Sequence, residues 1–84
     1  MTTYPIDPAD AVGLRRSVAV GLRIRQLRSA GGWSQAALAE RAGVPVDALR
    51  AAERGDVDLG IATLWRLAEA LDFTLGAFAA GLPR

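Results

Sequence analysis

Residues 34–55 read SQAALAERAGVPVDALRAAERG, two short helical patterns that meet at a single glycine, Gly43. A chain that reverses so quickly between two helices must let them cross closely. Ala39 supplies the small side chain such a crossing needs, and Leu38 and Leu49 point into the shared angle. No stretch of the chain shows the period-two alternation of a half-buried strand, so the hydrophobic pattern confines the fold to helices.

The flanking residues carry the signals that start and stop helices. Ser34 is placed to cap the first helix of the pair, which runs to about Ala42. Trp33, just before the cap, can pack against Leu38 as a hydrophobic staple. Pro45 opens the second helix where a missing N–H costs nothing, and Asp47 puts a negative charge in its first turn. That helix stops at Gly55 after Arg54. Upstream, Val20, Ile24 and Leu27 form one apolar face of a helix from Ser17 to Ala30, ended by Gly31-Gly32. Residues 1–6 read as a flexible lead. Asp7-Pro8 is a helix start, and residues 8–16 form either a short helix of their own or an extension of the next. Gly13 and Gly21 weaken a single unbroken helix there, each by roughly 1 kcal/mol relative to alanine. Downstream, Ile61, Leu64, Leu67, Ala68 and Leu71 share one side of a fourth helix. Thr74 caps a last short one at 75–80, with Leu75 and Phe78 inward. The expected fold is all-α, a compact bundle of five helices, or six if 8–16 stands apart. Residues 1–16 are an N-terminal arm, and residues 17–84 are the domain.

Composition narrows the chemistry. At 84 residues the chain holds one small domain, and 51% apolar residues argue against disorder of the whole. There is no cysteine and no histidine. Thiolate and imidazole metal sites, the commonest general base and every Ser-His or Cys-His pair are therefore missing, and no enzyme, metal or cofactor is expected. No apolar run is long enough to span a bilayer, and MTTYPIDPAD is no signal peptide, which points to a cytoplasmic protein without membrane contact. The formal net charge of +1 hides a split. Residues 15–54 hold eight arginines against Glu40, Asp47 and Glu53, while both ends are acidic. Such an excess is either an ordinary solvated surface or a phosphate-facing patch.

The residues from Gly21 onward, GLRIRQLRSAGGWSQAALAERAG, then ERG at 53–55, then IATLWRLAEALDF, resemble the phage-repressor and Cro type of helix-turn-helix, the xenobiotic-response-element family. The resemblance covers about residues 18–80. It implies a lambda-repressor-like DNA-binding fold whose helix-turn-helix is formed by helices two and three, with the second laid in the major groove of double-stranded DNA.

The resemblance also implies roles for single residues. Ser34 and Gln35 match a capping serine and a phosphate-holding glutamine. Their structural alternatives are a plain cap and an exposed polar side chain. Arg28 and Glu53 match a partly buried structural ion pair, which removes Arg28 from the DNA-contacting set. Base-contacting positions fall on Val46, Asp47, Arg50 and Ala51. Arg50 can make two bonds to guanine O6 and N7; Val46 and Ala51 offer only apolar contact, for example to a thymine methyl. Asp47 could accept from cytosine N4, although satisfying the helix N-terminus is the better reading. Arg54 matches a backbone-contacting position. Pro45 replaces the usual Ser or Thr cap, and Asp56 and Asp58 stand where the family often carries Lys, Arg or Asn.

Family members bind as twofold dimers, and a single module of this size buries little DNA surface. Trp65, Phe78 and Leu82 are the expected homodimer seam, unless they simply finish the core. The implied function is a small DNA-binding transcriptional regulator. The alternative is an antitoxin or other interaction module whose main role is to bind a partner protein such as a toxin, with secondary autoregulatory DNA binding.

Overall fold

Pro8 opens the first and longest helix, α1, which runs unbroken to Ala30. The computed structural model describes the backbone of residues 8–82 and the side chains of residues 16–82. The expected lead at 1–6 and the Asp7 cap lie outside the described residues. Within them α1 is continuous, so residues 8–16 extend the helix that holds Val20, Ile24 and Leu27. After it come α2 (Gln35–Ala42), α3 (Val46–Glu53), α4 (Ile61–Ala70) and α5 (Leu75–Ala80). Among the described residues there are five helices and no strand. None of these helices is long and apolar enough to cross a membrane.

The core is one cluster. Ile24, Leu38, Leu49, Leu67 and Phe78 are its largest fully buried side chains. Ala39, Ala52, Ala68 and Ala70 complete it with small side chains. α1 packs on α3, α2 on both α3 and α4, and α5 on α4.

Helix ends repeat one device. The α2 chain reverses at Gly43, which has φ of 70° and lets the Val44 N–H reach the Ala39 carbonyl at 3.0 Å. This six-to-one bond closes a Schellman cap, and glycine enters the left-handed region without a Cβ penalty. α4 ends the same way with Asp72 at φ of 63°, a residue type that tolerates this region better than most.

Two sequence expectations change. Ile61 does not share the buried side of α4; it is 66% exposed. Full burial on α4 falls on Leu67, Ala68 and Ala70, with Leu64 half-buried against the core, so only the very start of the helix lies ahead of the packed portion. Gly21 does not merely weaken α1. A Cβ there would run into the Ala52 carbonyl oxygen and crowd the Glu53 Cα at 3.2 Å. Gly21 is the notch that lets α1 lie against the end of α3. Gly21→Ala should therefore destabilise the domain by about 2 kcal/mol, because overpacking outweighs the helix propensity gained. A lower urea midpoint at unchanged m-value is the expected readout.

Candidate nucleic-acid interface

Position and support of α3 come first, because its side chains can act only if the helix is held. Arg28, in the last turn of α1, reaches across to Glu53 at the end of α3. Its Nε donates to Glu53 Oε2 and its Nη2 to Oε1, each at 2.8 Å. Nη1 donates to the Trp33 carbonyl at 2.9 Å. Gln35 Nε2 adds a donor to Glu53 Oε1 at 3.3 Å. The Arg28 and Glu53 side chains are 15% and 4% exposed, so the pair is largely removed from water. The hydrogen bond to Glu53 raises the Arg28 pKa, and the negative charge adds to it against the lowering effect of burial. Arg28 is thus a fixed cation already paired inside the fold.

Around this brace the surface forms a shallow cup of about 430 Å³, walled by Arg25, Arg28, Gln35, Arg50, Glu53 and Arg54. Gln35 is half-buried in that wall, and Ser34 beside it accepts the Ala37 N–H at 3.0 Å as the cap of α2. Arg50 and Arg54 are exposed. Arg50 Nη1 lies 3.5 Å from Asp47 Oδ1, and Arg54 Nε donates to Asp56 Oδ2 at 2.8 Å. Val46 and Ala51 are half-buried, and Val46 packs against the core. Of the four reading positions, only Asp47 and Arg50 stand clear of the protein.

Arg25 also joins the cup, although it is not among the expected DNA-contacting residues. The signal lay in its spacing: it is three residues before Arg28, so the two share a helix face. Other arginines of the basic stretch do different work. Arg23 Nε donates to the Phe78 carbonyl at 3.2 Å, and Arg41 Nε to the Ala70 carbonyl at 2.8 Å. Each satisfies carbonyls near the end of a helix, and Arg41 also lies 5.0 Å over the Trp33 ring. Among the described arginines of that stretch, Arg23 and Arg41 are clamps within the fold, and Arg25, Arg28, Arg50 and Arg54 line the cup.

The expected seam residues separate. Trp65 is 53% exposed, with its Nε1 donating to Glu69 Oε1 at 2.6 Å. Phe78 is 1% exposed and belongs to the core, so it cannot face a partner. Arg23 Nε holds its carbonyl from across the fold. Leu82 is half-buried against the core and leaves only an edge free.

Two short helices crossing at a left-handed glycine, with the second one exposed beside a basic cup, define a helix-turn-helix domain. A family model described as helix-turn-helix, HTH_3, matches residues 24–78, and the chain belongs to that family. Solved structures agree. An HTH_3 family transcriptional regulator from Vibrio cholerae is 32% identical over 81% of this chain, with a TM-score of 0.76. The chain spans 38% of that protein's length. The restriction-modification controller protein C.AhdI from Aeromonas hydrophila is 34% identical, covering 74% of this chain and 94% of its own, with a TM-score of 0.71. The clp gene regulator ClgR from Corynebacterium glutamicum is 25% identical, covering 81% of this chain and 70% of its own, also with a TM-score of 0.71. No curated protein sequence matches significantly.

The brace makes a sharp stability prediction. Glu53→Ala should cost about 3 kcal/mol or more, since it strands a buried guanidinium. The double change Arg28→Met, Glu53→Leu should recover most of that loss, because similar volume is kept and no charge is left unpaired. Chemical denaturation of the three proteins gives both numbers.

Proposed function

We propose that this protein is a DNA-binding transcriptional regulator that lays α3 in the major groove and acts as a homodimer on a twofold site. The observation that carries this reading is the cup itself. Three exposed, cup-lining arginines (Arg25, Arg50 and Arg54) and the Gln35 amide surround one concavity at the exposed edge of α3. A concave, guanidinium-lined surface of this kind suits a phosphodiester strand. The solved HTH_3 regulators supply the biological context, and the C.AhdI likeness supports a small regulator with the layout of a controller protein.

Roles within that surface follow from exposure. Arg50 reaches into the groove and reads guanine through a bidentate pair. Ser34 and Gln35 at the start of α2, with Arg25 and Arg54, hold backbone phosphates. Asp47, Val46 and Ala51 line the same face, with the last two limited to apolar contact. Residues 17–84 are the binding unit, and residues 1–16 are an arm whose later part continues α1.

The dimer reading draws on α4. Ile61 and Trp65 are 66% and 53% exposed and lie four residues apart, so they share one helix face. Together with the free edge of Leu82 they form the seam, and Phe78 supports it from within the core.

The decisive experiment is binding to a duplex from the protein's own promoter at two salt concentrations. Salt-sensitive binding is expected, and no detectable binding at low salt would overturn the regulator reading. Within it, Arg50→Ala should relax preference at one base pair and cost about 1–3 kcal/mol there. Arg25→Ala should weaken all sequences alike and lower the salt slope by about one.

A separate expectation concerns assembly. Trp65→Asp should leave the fold intact and shift the protein to monomer in sedimentation equilibrium. A wild-type protein that is itself monomeric at tens of micromolar, about the range of a moderate dimer, would refute the seam.

A further inference from the structure

Both arginines that α3 and its following turn offer to DNA already hold a carboxylate of their own. Asp47 stands three residues before Arg50 on α3, at 3.5 Å. Asp56 stands two residues after Arg54, at 2.8 Å. All four side chains are open to water: Arg50 and Asp47 are 49% and 92% exposed, and Arg54 and Asp56 are 62% and 59% exposed. The contrast with Arg28 and Glu53, at 15% and 4%, is sharp. One pair is locked, and the other two can open at little cost.

We infer that Asp47 and Asp56 are built-in competitors for the DNA ligands of Arg50 and Arg54: Asp56 lowers affinity for every sequence, and Asp47 sets how far the protein separates its own site from bulk DNA. The inference rests on the regulator reading above. Non-specific binding is almost wholly an exchange of counterions for arginines on phosphates. Here each arginine must leave a carboxylate to make that exchange. The carboxylate is tethered, so it stays in the field of the phosphates and repels them.

The two acids act on different terms. Asp56 lies in the turn after α3, beside the arginine assigned to the backbone. It meets phosphate on every sequence and damps all affinities equally. Asp47 lies in the first turn of α3, on the reading face. Where a cytosine N4 amine stands opposite, its carboxylate accepts a hydrogen bond, and the repulsion is offset. On other sequences nothing offsets it. Asp47 therefore sharpens discrimination, although its side chain looks unsuited to a DNA-facing surface.

The test compares Asp47→Asn and Asp56→Asn with wild type on the promoter duplex and on a scrambled duplex, by fluorescence anisotropy at two salt concentrations. Asp72→Asn, on the α4–α5 turn and outside the cup, controls for net charge. Asp56→Asn should tighten both duplexes by a similar factor, roughly three- to tenfold at low salt. Asp56→Glu, which keeps the charge, should return affinity toward wild type. Asp47→Asn should tighten the scrambled duplex more than the promoter, shrinking their ratio by roughly three- to tenfold. Asp72→Asn should change either affinity by less than about twofold. Equal shifts in all three Asn variants would overturn the inference in favour of simple net charge. So would unchanged binding by Asp47→Asn and Asp56→Asn when wild type binds its promoter. Failure of wild type to bind that duplex at low salt is a different result: it removes the regulator reading and this inference with it.

Discussion

The bidentate pair of Arg28 and Glu53 fixes where α3 can be. Glu53 is the last residue of α3, and Arg28 lies in the last turn of α1. Four hydrogen bonds converge on the pair, two between the partners, one to the Trp33 carbonyl and one from Gln35. One short network thus ties the end of α1, the turn before α2, the start of α2 and the end of α3. Gly21 allows the same arrangement from the other side, because α1 can approach the Ala52–Glu53 backbone only where it lacks a Cβ. The ion pair and the notch are two halves of one constraint. Neither would hold α3 at a defined angle alone, since a short helix has little burial of its own: only Leu49 and Ala52 of α3 are buried.

All ten basic residues of the chain are arginines, and that choice acquires a meaning in this light. A guanidinium can bond two acceptors in a fixed plane while its stem packs against apolar surface. Arg23 does this at the end of α5, with the Phe78 and Ala77 carbonyls at 3.2 and 3.5 Å and the Phe73 ring 5.7 Å away. Arg41 does it at the end of α4, with the Ala70 carbonyl on one side and the Trp33 ring on the other. Orphan carbonyls at helix ends need such donors. An ammonium would match the charge but not the planar stacking. These clamps leave Arg25, Arg50 and Arg54 as the cations of the cup that can turn outward.

Local rules made the scaffold legible in the sequence. Ser34, Ala39, Gly43 and Gly55 are each read from a few neighbours, because caps, tight turns and close crossings are decided within one or two helical turns. The helix boundaries after Gly31 followed from such signals. What stayed hidden depends on contacts distant in sequence. The sequence left Phe78 between the core and a seam, and the contact that marks its helix end, Arg23 to the Phe78 carbonyl, spans 55 residues that no window on FTLGAFAAGL can bridge. Ile61 carries the right period for the core face of α4, but how far the bundle covers that face is a property of the packed whole. Arg25 belongs to the cup because α1 lies against α3. The division of arginines between clamps and cup was equally unreadable, since charge counts along the chain do not tell which carbonyl a side chain will meet.

The scaffold and its surface lead to an asymmetry between holding DNA and reading it. The parts that would hold a duplex are fixed: α3 is braced at its end, and α2 carries a capped N-terminus beside Gln35. The parts that would read it are sparse. Val46 is turned partly into the core, Ala51 is short and half-buried, and Asp47 is an acid. One bidentate arginine discriminates at about one base pair. A rigidly placed helix, however, also senses whether a sequence can adopt the groove width and bend that its phosphate contacts require, and that deformation energy varies with bases the protein never touches. A braced dock with few reading side chains gains proportionally more from this term than a flexible one, because flexibility would let the protein adapt to the DNA instead of the reverse. On the proposed function, selectivity should therefore be spread over the shape of the whole site, with Arg50 and Asp47 marking a single position within it.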